Sequence, residues 1–162
     1  MHLLGVAQVL AVIVIANGVP VLARKFLRDR YGWPLDGGLV LSDGHRLFGR
    51  SKTVRGIVLS IVAGIVLAPL FGLGADLGAG IAACAMAGDL FSSFCKRRLG
   101  MESSSQALGL DQVPESLLPL LWSAPVLGLG AADILLGVVV FLVGELAISR
   151  LLFRLHIRER PY

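Results

Sequence analysis

Read for its alternation of apolar and polar positions, the chain divides into five long hydrophobic stretches separated by polar zones. Leu3–Ala23 holds 21 residues without a formal charge. As a helix it would extend about 31 Å, enough to cross the hydrocarbon core of a bilayer. Ile57–Leu73 supplies 17 residues and Leu77–Cys95 another 19, the latter interrupted only by Asp89. Ser116–Ala132 is of similar length but carries Pro119 and Pro125, which predicts a kinked or broken helix. Ile134–Phe153 completes the set, with Glu145 and Arg150 inside it. The first stretch lacks a basic leading region and exceeds the usual signal-peptide core, so it is read as an anchoring helix.

Composition agrees with this pattern. Of 162 residues, 56% are hydrophobic and 16% charged, and the mean hydropathy is +0.80. The charged share falls well below the roughly 25% of a soluble domain. A water-soluble globule and a disordered tail are excluded. The expected fold is all-α, a polytopic integral membrane protein of about five transmembrane helices, with residues 1–162 forming one membrane-embedded unit. The run Gly78–Ala87 is rich in small residues, which predicts a third helix packed tightly at the centre of the bundle.

Orientation follows from the basic residues. All 15 Lys and Arg fall in residues 24–56, residues 96–115, the tail after Phe153, or the adjoining helix ends. The opposite side has only the start of the chain and two tight connections carrying Asp76 and Asp133. The positive-inside rule then places the N-terminus outside and the C-terminus and both larger loops in the cytoplasm of a cell membrane. Against these bases stand Asp29, Asp36, Asp43, Glu102, Asp111, Glu115 and Glu159, leaving that face strongly cationic. Topology alone accounts for Arg24, Lys25, Arg28, Arg30 and the Arg154, Arg158, Arg160 tail. Nothing soluble or aromatic-rich accompanies the bases, so nucleic acid is not an expected partner. Cys84 and Cys95 lie eleven residues apart on one predicted helix, about 16 Å along its axis, too far for a disulfide. His2, His45 and His156 have no metal-ligand spacing, so zinc is not expected.

Two segments exceed what anchoring needs. Leu41–Gly56 gathers Gly44, Gly49 and Gly56 with Arg50, Lys52, Thr53 and Arg55 just before a membrane helix. Glycines let backbone N–H groups approach an anion, and Lys and Arg add charge-assisted bonds. The spacing departs from a P-loop, since two residues intervene between Gly49 and Lys52-Thr53 and no strand precedes it. A phosphate cradle of another kind and a plain basic loop both remain open. In the second segment, Asp89, Ser92 or Ser93, and Lys96 share one helical face near the cytoplasmic end. An ionisable residue inside a span is costly and marks a candidate site. That stripe could hold a metal ion and a phosphate, or serve as a helix-packing network with Asp89 paired to Lys96 or an Arg. Asp111 and Glu115 are acids in the basic loop that follows. Asp89 with Asp111 would give the carboxylate pair that Mg²⁺ takes alongside substrate phosphates.

These residues carry a resemblance. Gly88-Asp89-x-x-Ser92-Ser93-x-x-Lys96-Arg97-Arg98-Leu99-Gly100 followed by Leu110-Asp111-Gln112 resembles the signature of the CDP-archaeol synthase family, a small multi-span branch of the phosphatidate cytidylyltransferase group. Lys52-Thr53-Val54-Arg55-Gly56 is similar to its K-T-x-R-G motif, and Ala16-Asn17-Gly18-Val19-Pro20-Val21 to its first-helix pattern. After Gly100 the family's Pro-Gly-rich stretch is replaced here by Met-Glu-Ser-Ser-Ser-Gln-Ala-Leu-Gly. The resemblance implies that CTP and a lipid phosphate give a CDP-lipid and pyrophosphate with Mg²⁺, the acceptor being an archaetidic-type ether lipid or phosphatidic acid.

Such a reaction needs no protein nucleophile, so positioning and charge neutralisation are the enzyme's task. Asp89 and Asp111 are the expected metal ligands, and Asp89, Lys96 and Asp111 the expected catalytic groups. Lys52, Arg55, Lys96 and Arg97 would neutralise phosphates, and Thr53, Ser92 and Ser93 would orient oxygens. The lipid tails would enter between helices near Pro119 and Pro125. Glu145 is read first as a structural group partnered by Arg150 or a hydroxyl. Asn17 either caps a kink at Pro20 or lines the site. The rival readings are a diverged non-catalytic membrane protein or a small transporter with a phosphate-binding face. Polar residues spread through the membrane depth, which a transporter would favour, are not seen. The missing D-x-x-D-G-x-x-A-R motif argues against a CDP-alcohol phosphotransferase. Glycine- and alanine-rich faces leave room for a homodimer.

Overall fold

The sequence's hydrophobic stretches become helices whose ends are set by caps and charge rather than by loss of hydrophobicity alone. The computed structural model describes residues 1–28 and 30–154, without the side chains of 150–154. Expectations for Asp29, the Arg150 and Arg154 side chains, His156, Arg158, Glu159 and Arg160 lie outside the described residues. The helices are α1 (Leu3–Leu27), α2 (Val54–Leu67), α3 (Ala75–Arg98), α4 (Gln112–Leu127) and α5 (Ala131–Arg154), with a 3-10 turn at Ala68–Phe71 after α2. Among the described residues extended pairing is confined to two isolated bridges, Pro34 with Thr53 and Val40 with Arg46.

Thr53 opens α2 by accepting a bond from the Gly56 N–H at 3.1 Å. Pro69 stands in the opening of the turn that follows α2, and left-handed Gly72 closes it. Helix α3 carries Asp76 in its first turn and Lys96, Arg97 and Arg98 in its last, both favourable against the helix dipole. Asp76 and Asp133, expected in connections, therefore lie inside helical first turns. Asp133 accepts the N–H groups of Gly130 (3.1 Å) and His2 (2.9 Å).

The last-named contact joins the start of α1 to the start of α5. At the same end, Gln8 Nε2 donates to the Phe71 carbonyl at 2.6 Å. At the opposite end, Arg55 reaches the carbonyls of Arg28 and Arg30, and Lys96 pairs with Asp111 at 2.6 Å. All five helices thus run between the same two ends, each antiparallel to the one before it. Four are long and apolar enough to cross a membrane. Helix α4, with 16 residues, reaches about 24 Å and joins the same two ends.

The fourth span differs from expectation in extent and form. It occupies 112–127 rather than 116–132, and of the two forms expected, kinked or broken, the break does not occur: the helix is continuous through Pro119 and Pro125. Pro119 and Pro125 each remove one N–H, leaving the carbonyls of Glu115 and Leu121 without their usual donor, yet the helix stays continuous where it packs against α3.

Helix α3 is central, as the small-residue run predicted. Half of its membrane window is buried (50%), against 17–33% for the other three candidate spans. Gly64 and Gly78 make the α2–α3 crossing possible, since a Cβ on Gly64 would lie 2.6 Å from the Gly78 carbonyl oxygen. Lipid tails supply no net hydrophobic drive for helix association, so such close backbone packing holds the bundle together. The interior is completed by Val9, Ile13, Ile81, Ala85 and Leu120.

Candidate active site

The charged end of the bundle is built on α3. Asp89 and Lys96 lie two turns apart on it, and each meets a partner from a different loop. Lys52, the residue before the α2 cap, places its Nζ 2.5 Å from Asp89 Oδ2. Lys96 Nζ lies 2.6 Å from Asp111 Oδ1 and donates to the Ser105 carbonyl at 2.9 Å. Burial pushes the Lys52 ammonium towards its neutral form, but the Asp89 carboxylate outweighs it and holds the pKa above the usual lysine value. Asp89 is thus paired with Lys52, not with Lys96 or an arginine.

A third carboxylate completes the cluster. Glu115, in the first turn of α4, lies beside Asp89, close enough for the two carboxyl groups to interact, and accepts Asn17 Nδ2 at 2.8 Å. Gly88 permits this approach: a Cβ there would sit 2.7 Å from the Glu115 nitrogen and nearer still to the Pro114 carbonyl. The glycine beside Asp89 is therefore what lets α4 rest against α3. Asn17 does not cap a kink at Pro20 but reaches across the bundle. The carbonyl of Ala16, whose usual i+4 donor is lost at Pro20, takes the Ser60 hydroxyl at 2.7 Å instead. Glu145 comes near enough to Glu115 to interact electrostatically.

The remaining predicted residues divide into two groups. Arg97, buried on α3, donates to the Glu102 carbonyl at 2.5 Å. Ser92 Oγ bonds the carbonyls of Gly88 (2.9 Å) and Leu110 (2.6 Å), tying α3 to the loop before α4. Ser93 is buried beside it. Thr53 is engaged as the α2 cap, although it also lines the cavity at Asp89. Arg55 turns away to the carbonyls that follow α1. The lysines, acids and α3 residues come together; Arg55 does not join them.

Residues 34–53 lie over this end, organised by a carboxylate that sequence spacing did not mark. Asp36 accepts the N–H groups of Gly38 (3.0 Å), Phe48 (3.2 Å) and Gly49 (3.0 Å) and the Arg46 guanidinium at 2.8 Å. Burial raises the Asp36 pKa, but these four donors outweigh it and hold it below the usual range. Gly49 adopts φ +97, and a Cβ on it would meet Arg97 and Ser103 at 3.1 Å. Arg98 holds the loop from below through Asp43 (2.6 Å) and the carbonyls of His45 and Arg46. A cavity of about 40 Å³, lined by Pro20, Ser51, Lys52, Thr53, Met86 and Asp89 among others, opens here. It is room for a water or two, not a nucleotide.

A family profile described as CarS-like CDP-archaeol synthase matches residues 29–80 and 77–162. The chain belongs to the CDP-archaeol synthase family. The family's CDP-archaeol synthase from Pyrobaculum calidifontis is 36% identical over 156 residues, covering 91% of each chain. The one from Methanopyrus kandleri is 42% identical over 92 residues, about half (51%) of each chain. A solved intramembrane enzyme of archaeal membrane-lipid biosynthesis superposes with a TM-score of 0.71 at 33% identity, covering 88% of this chain and 90% of that one. As a CDP-archaeol synthase family member, the protein is an integral membrane enzyme, a CTP:lipid-phosphate cytidylyltransferase of phospholipid biosynthesis.

Carboxylate oxygens are the donors that Mg²⁺ prefers, and Asp89 with Glu115 offers two side chains in contact, with Asp111 one lysine away. Among the described residues no group of three or more His, Cys, Asp or Glu forms a ready metal cage. This donor set fits an ion completed by substrate phosphates and not one held by protein alone.

Proposed function

We propose that this enzyme transfers the cytidylyl group of CTP to an archaetidic-type ether lipid phosphate at the charged end of the bundle, facing the cytoplasm. The observation that carries the site assignment is the juxtaposition of two lysine–aspartate pairs, Lys52–Asp89 and Lys96–Asp111, on and around α3. The reaction joins a lipid phosphate oxygen to the α-phosphorus of CTP, and the bond to the pyrophosphate oxygen breaks. The lysines are counter-ions for the acids when no polyanion is present. A triphosphate competes for both ammonium groups, and Lys52, Lys96 and Arg97 turn to its oxygens. Asp89 and Asp111, relieved of their lysines, would be the residues to hold Mg²⁺, with Glu115 bracing Asp89. The ion supplies charge neutralisation and a template for the phosphates. The residues 34–53 must lift for CTP to enter, since the present cavity is too small.

Basic residues concentrated at this end support the cytoplasmic orientation through the positive-inside rule. Ether-linked acceptors are favoured over ester-linked ones because the relatives are CDP-archaeol synthases of archaea. The test is a Mg²⁺-dependent assay in detergent with labelled CTP, offering archaetidic acid and phosphatidic acid separately. A CDP-lipid from archaetidic acid is the expected product. Product from phosphatidic acid alone reverses the lipid assignment, and CTP turnover into no lipid product overturns the reading.

A further inference from the structure

The contact that joins the first helix to the acidic cluster has no part in charge neutralisation. Asn17 lies in the membrane portion of α1, and its Nδ2 donates to Glu115 Oε2 at 2.8 Å, a link between residues 98 positions apart. Glu115 is buried and lies beside Asp89, because α4 closes on α3 at Gly88, where a Cβ would sit 2.7 Å from the Glu115 nitrogen. A relay of side chains therefore runs from α1 through α4 to α3, ending on the carboxylate that Lys52 covers. The backbone around Asn17 is fixed independently, because Ser60 of α2 holds the adjacent Ala16 carbonyl at 2.7 Å and the Gly56 carbonyl at 2.9 Å. The amide is thus presented from a rigid support rather than from a loop.

The other end of the same amide is unusual. Asn17 Oδ1 is buried and accepts no hydrogen bond. An orphaned buried acceptor costs on the order of 1–3 kcal/mol, which the single bond from Nδ2 to Glu115 offsets only in part. A packing role gives no reason to keep it. A polar group required beside the acids does, since a carbonyl oxygen can accept a hydrogen bond from a water in the hydration shell of a divalent cation, which keeps several of its waters.

We infer that Asn17 is a positioning residue for the divalent-cation site: it sets the Glu115 carboxylate against Asp89 and offers Oδ1 to the ion's water shell. This rests on the cation reading given above. The groups that hold first ligands in place change metal affinity by about 10–100-fold when removed.

The test uses the full-length protein in detergent with CTP and Mn²⁺ as a paramagnetic probe, in the absence of lipid. Free and bound Mn²⁺ are counted by electron paramagnetic resonance for the wild type, Asn17→Leu and Asp89→Asn. Thermal unfolding is followed with and without the ion. Expected for Asn17→Leu is Mn²⁺ affinity lowered about 10–100-fold and loss of the rise in unfolding temperature that the ion gives. The Mg²⁺ concentration for half-maximal turnover rises in parallel, while KM for the lipid does not. Wild-type Mn²⁺ affinity in Asn17→Leu overturns the inference if Asp89→Asn has lost binding. If Asp89→Asn also binds Mn²⁺ normally, the cation reading itself fails. Should Asn17→Leu not yield folded protein, Asn17→Ala is judged by the same Mn²⁺ criterion.

Discussion

Lys52 Nζ stands 2.5 Å from Asp89 Oδ2, bridging the end of the first large loop to the C-terminal half of α3 across 37 positions of sequence. Both side chains are about a quarter exposed or less, so the pair sits at the mouth of the bundle and not in its depth. A partly buried ion pair is costly to break by removing one member, because the other is left uncompensated. The same cost makes the pair exchangeable for another: a phosphate for the lysine and a cation for the aspartate.

Replacing Lys52 by Gln separates these roles. Asp89 then has no ammonium partner from the loop, and the unfolding temperature of the detergent-solubilised protein becomes dependent on added Mg²⁺, more steeply than in the wild type. KM for CTP rises at least about tenfold, the loss of one charge-assisted bond of about 1.5–3 kcal/mol. An unfolding temperature with wild-type Mg²⁺ dependence, measured by scanning fluorimetry, would count against the exchange.

Asp89→Asn keeps the shape of the side chain and removes its charge. Turnover at saturating Mg²⁺ falls about 10²–10³-fold, the scale seen when a charge-stabilising group is lost at a reaction centre. Near-normal turnover of the purified variant would remove Asp89 from the mechanism.

Gly88 gives a purely steric prediction. A methyl group there meets the Pro114 carbonyl and lies 2.7 Å from the Glu115 nitrogen, both backbone atoms that cannot swing aside. Gly88→Ala therefore pushes α4 from α3 and carries Glu115 away from Asp89, so stability and activity fall together. Thermal unfolding and turnover measured side by side check this, and wild-type values for both would show that α4 yields without cost.

Asp36 predicts a pH dependence of the loop. Its folded-state pKa lies below the ordinary carboxylate value, so the clasp's contribution is complete above the unfolded pKa, about 3.9. It is lost as pH falls through the folded value. Asp36→Ala strands three backbone N–H groups and Arg46 and costs about 2–3 kcal/mol at neutral pH. Limited proteolysis within residues 34–53 should accelerate in this variant at pH 7 and in the wild type only on acidification.

Much of this was legible in the sequence, for reasons that particular residues show. Five hydrophobic runs and the segregation of Lys and Arg sufficed for the bundle, since bilayer thickness and charge cost act on composition directly. Asp89, Lys96 and Asp111 stood out as charges near or within spans. Glu115 reads beside Asp111 as an acid in the basic loop, and Asn17 as a residue that caps a kink or lines the site, but their contact with each other was not legible, because it depends on how closely α4 approaches α3 at Gly88. Asp36 was counted only as one acid among bases, because its partners are mainly backbone N–H groups, which sequence spacing does not advertise. The continuity of α4 through Pro119 and Pro125 was equally hidden, as it depends on neighbouring helices rather than on the helix itself.

Pro20 and Ser60 form a compensated pair that a double-mutant cycle can expose. Proline at 20 withdraws the N–H that would bond the Ala16 carbonyl, and Ser60 Oγ supplies a replacement at 2.7 Å from the facing helix. Ser60→Ala alone leaves that carbonyl without a donor inside the bundle and costs about 1 kcal/mol, in the range of interhelical bonds in membranes. Pro20→Ala restores the helical N–H, so the carbonyl no longer depends on α2. In the Pro20→Ala background, Ser60→Ala should cost less by most of that amount, because its partner is already satisfied. Denaturant unfolding of the four proteins gives the coupling energy. A coupling near zero would mean that Ser60 is held there by packing, with its hydroxyl bonded chiefly to the Gly56 carbonyl one turn back at 2.9 Å.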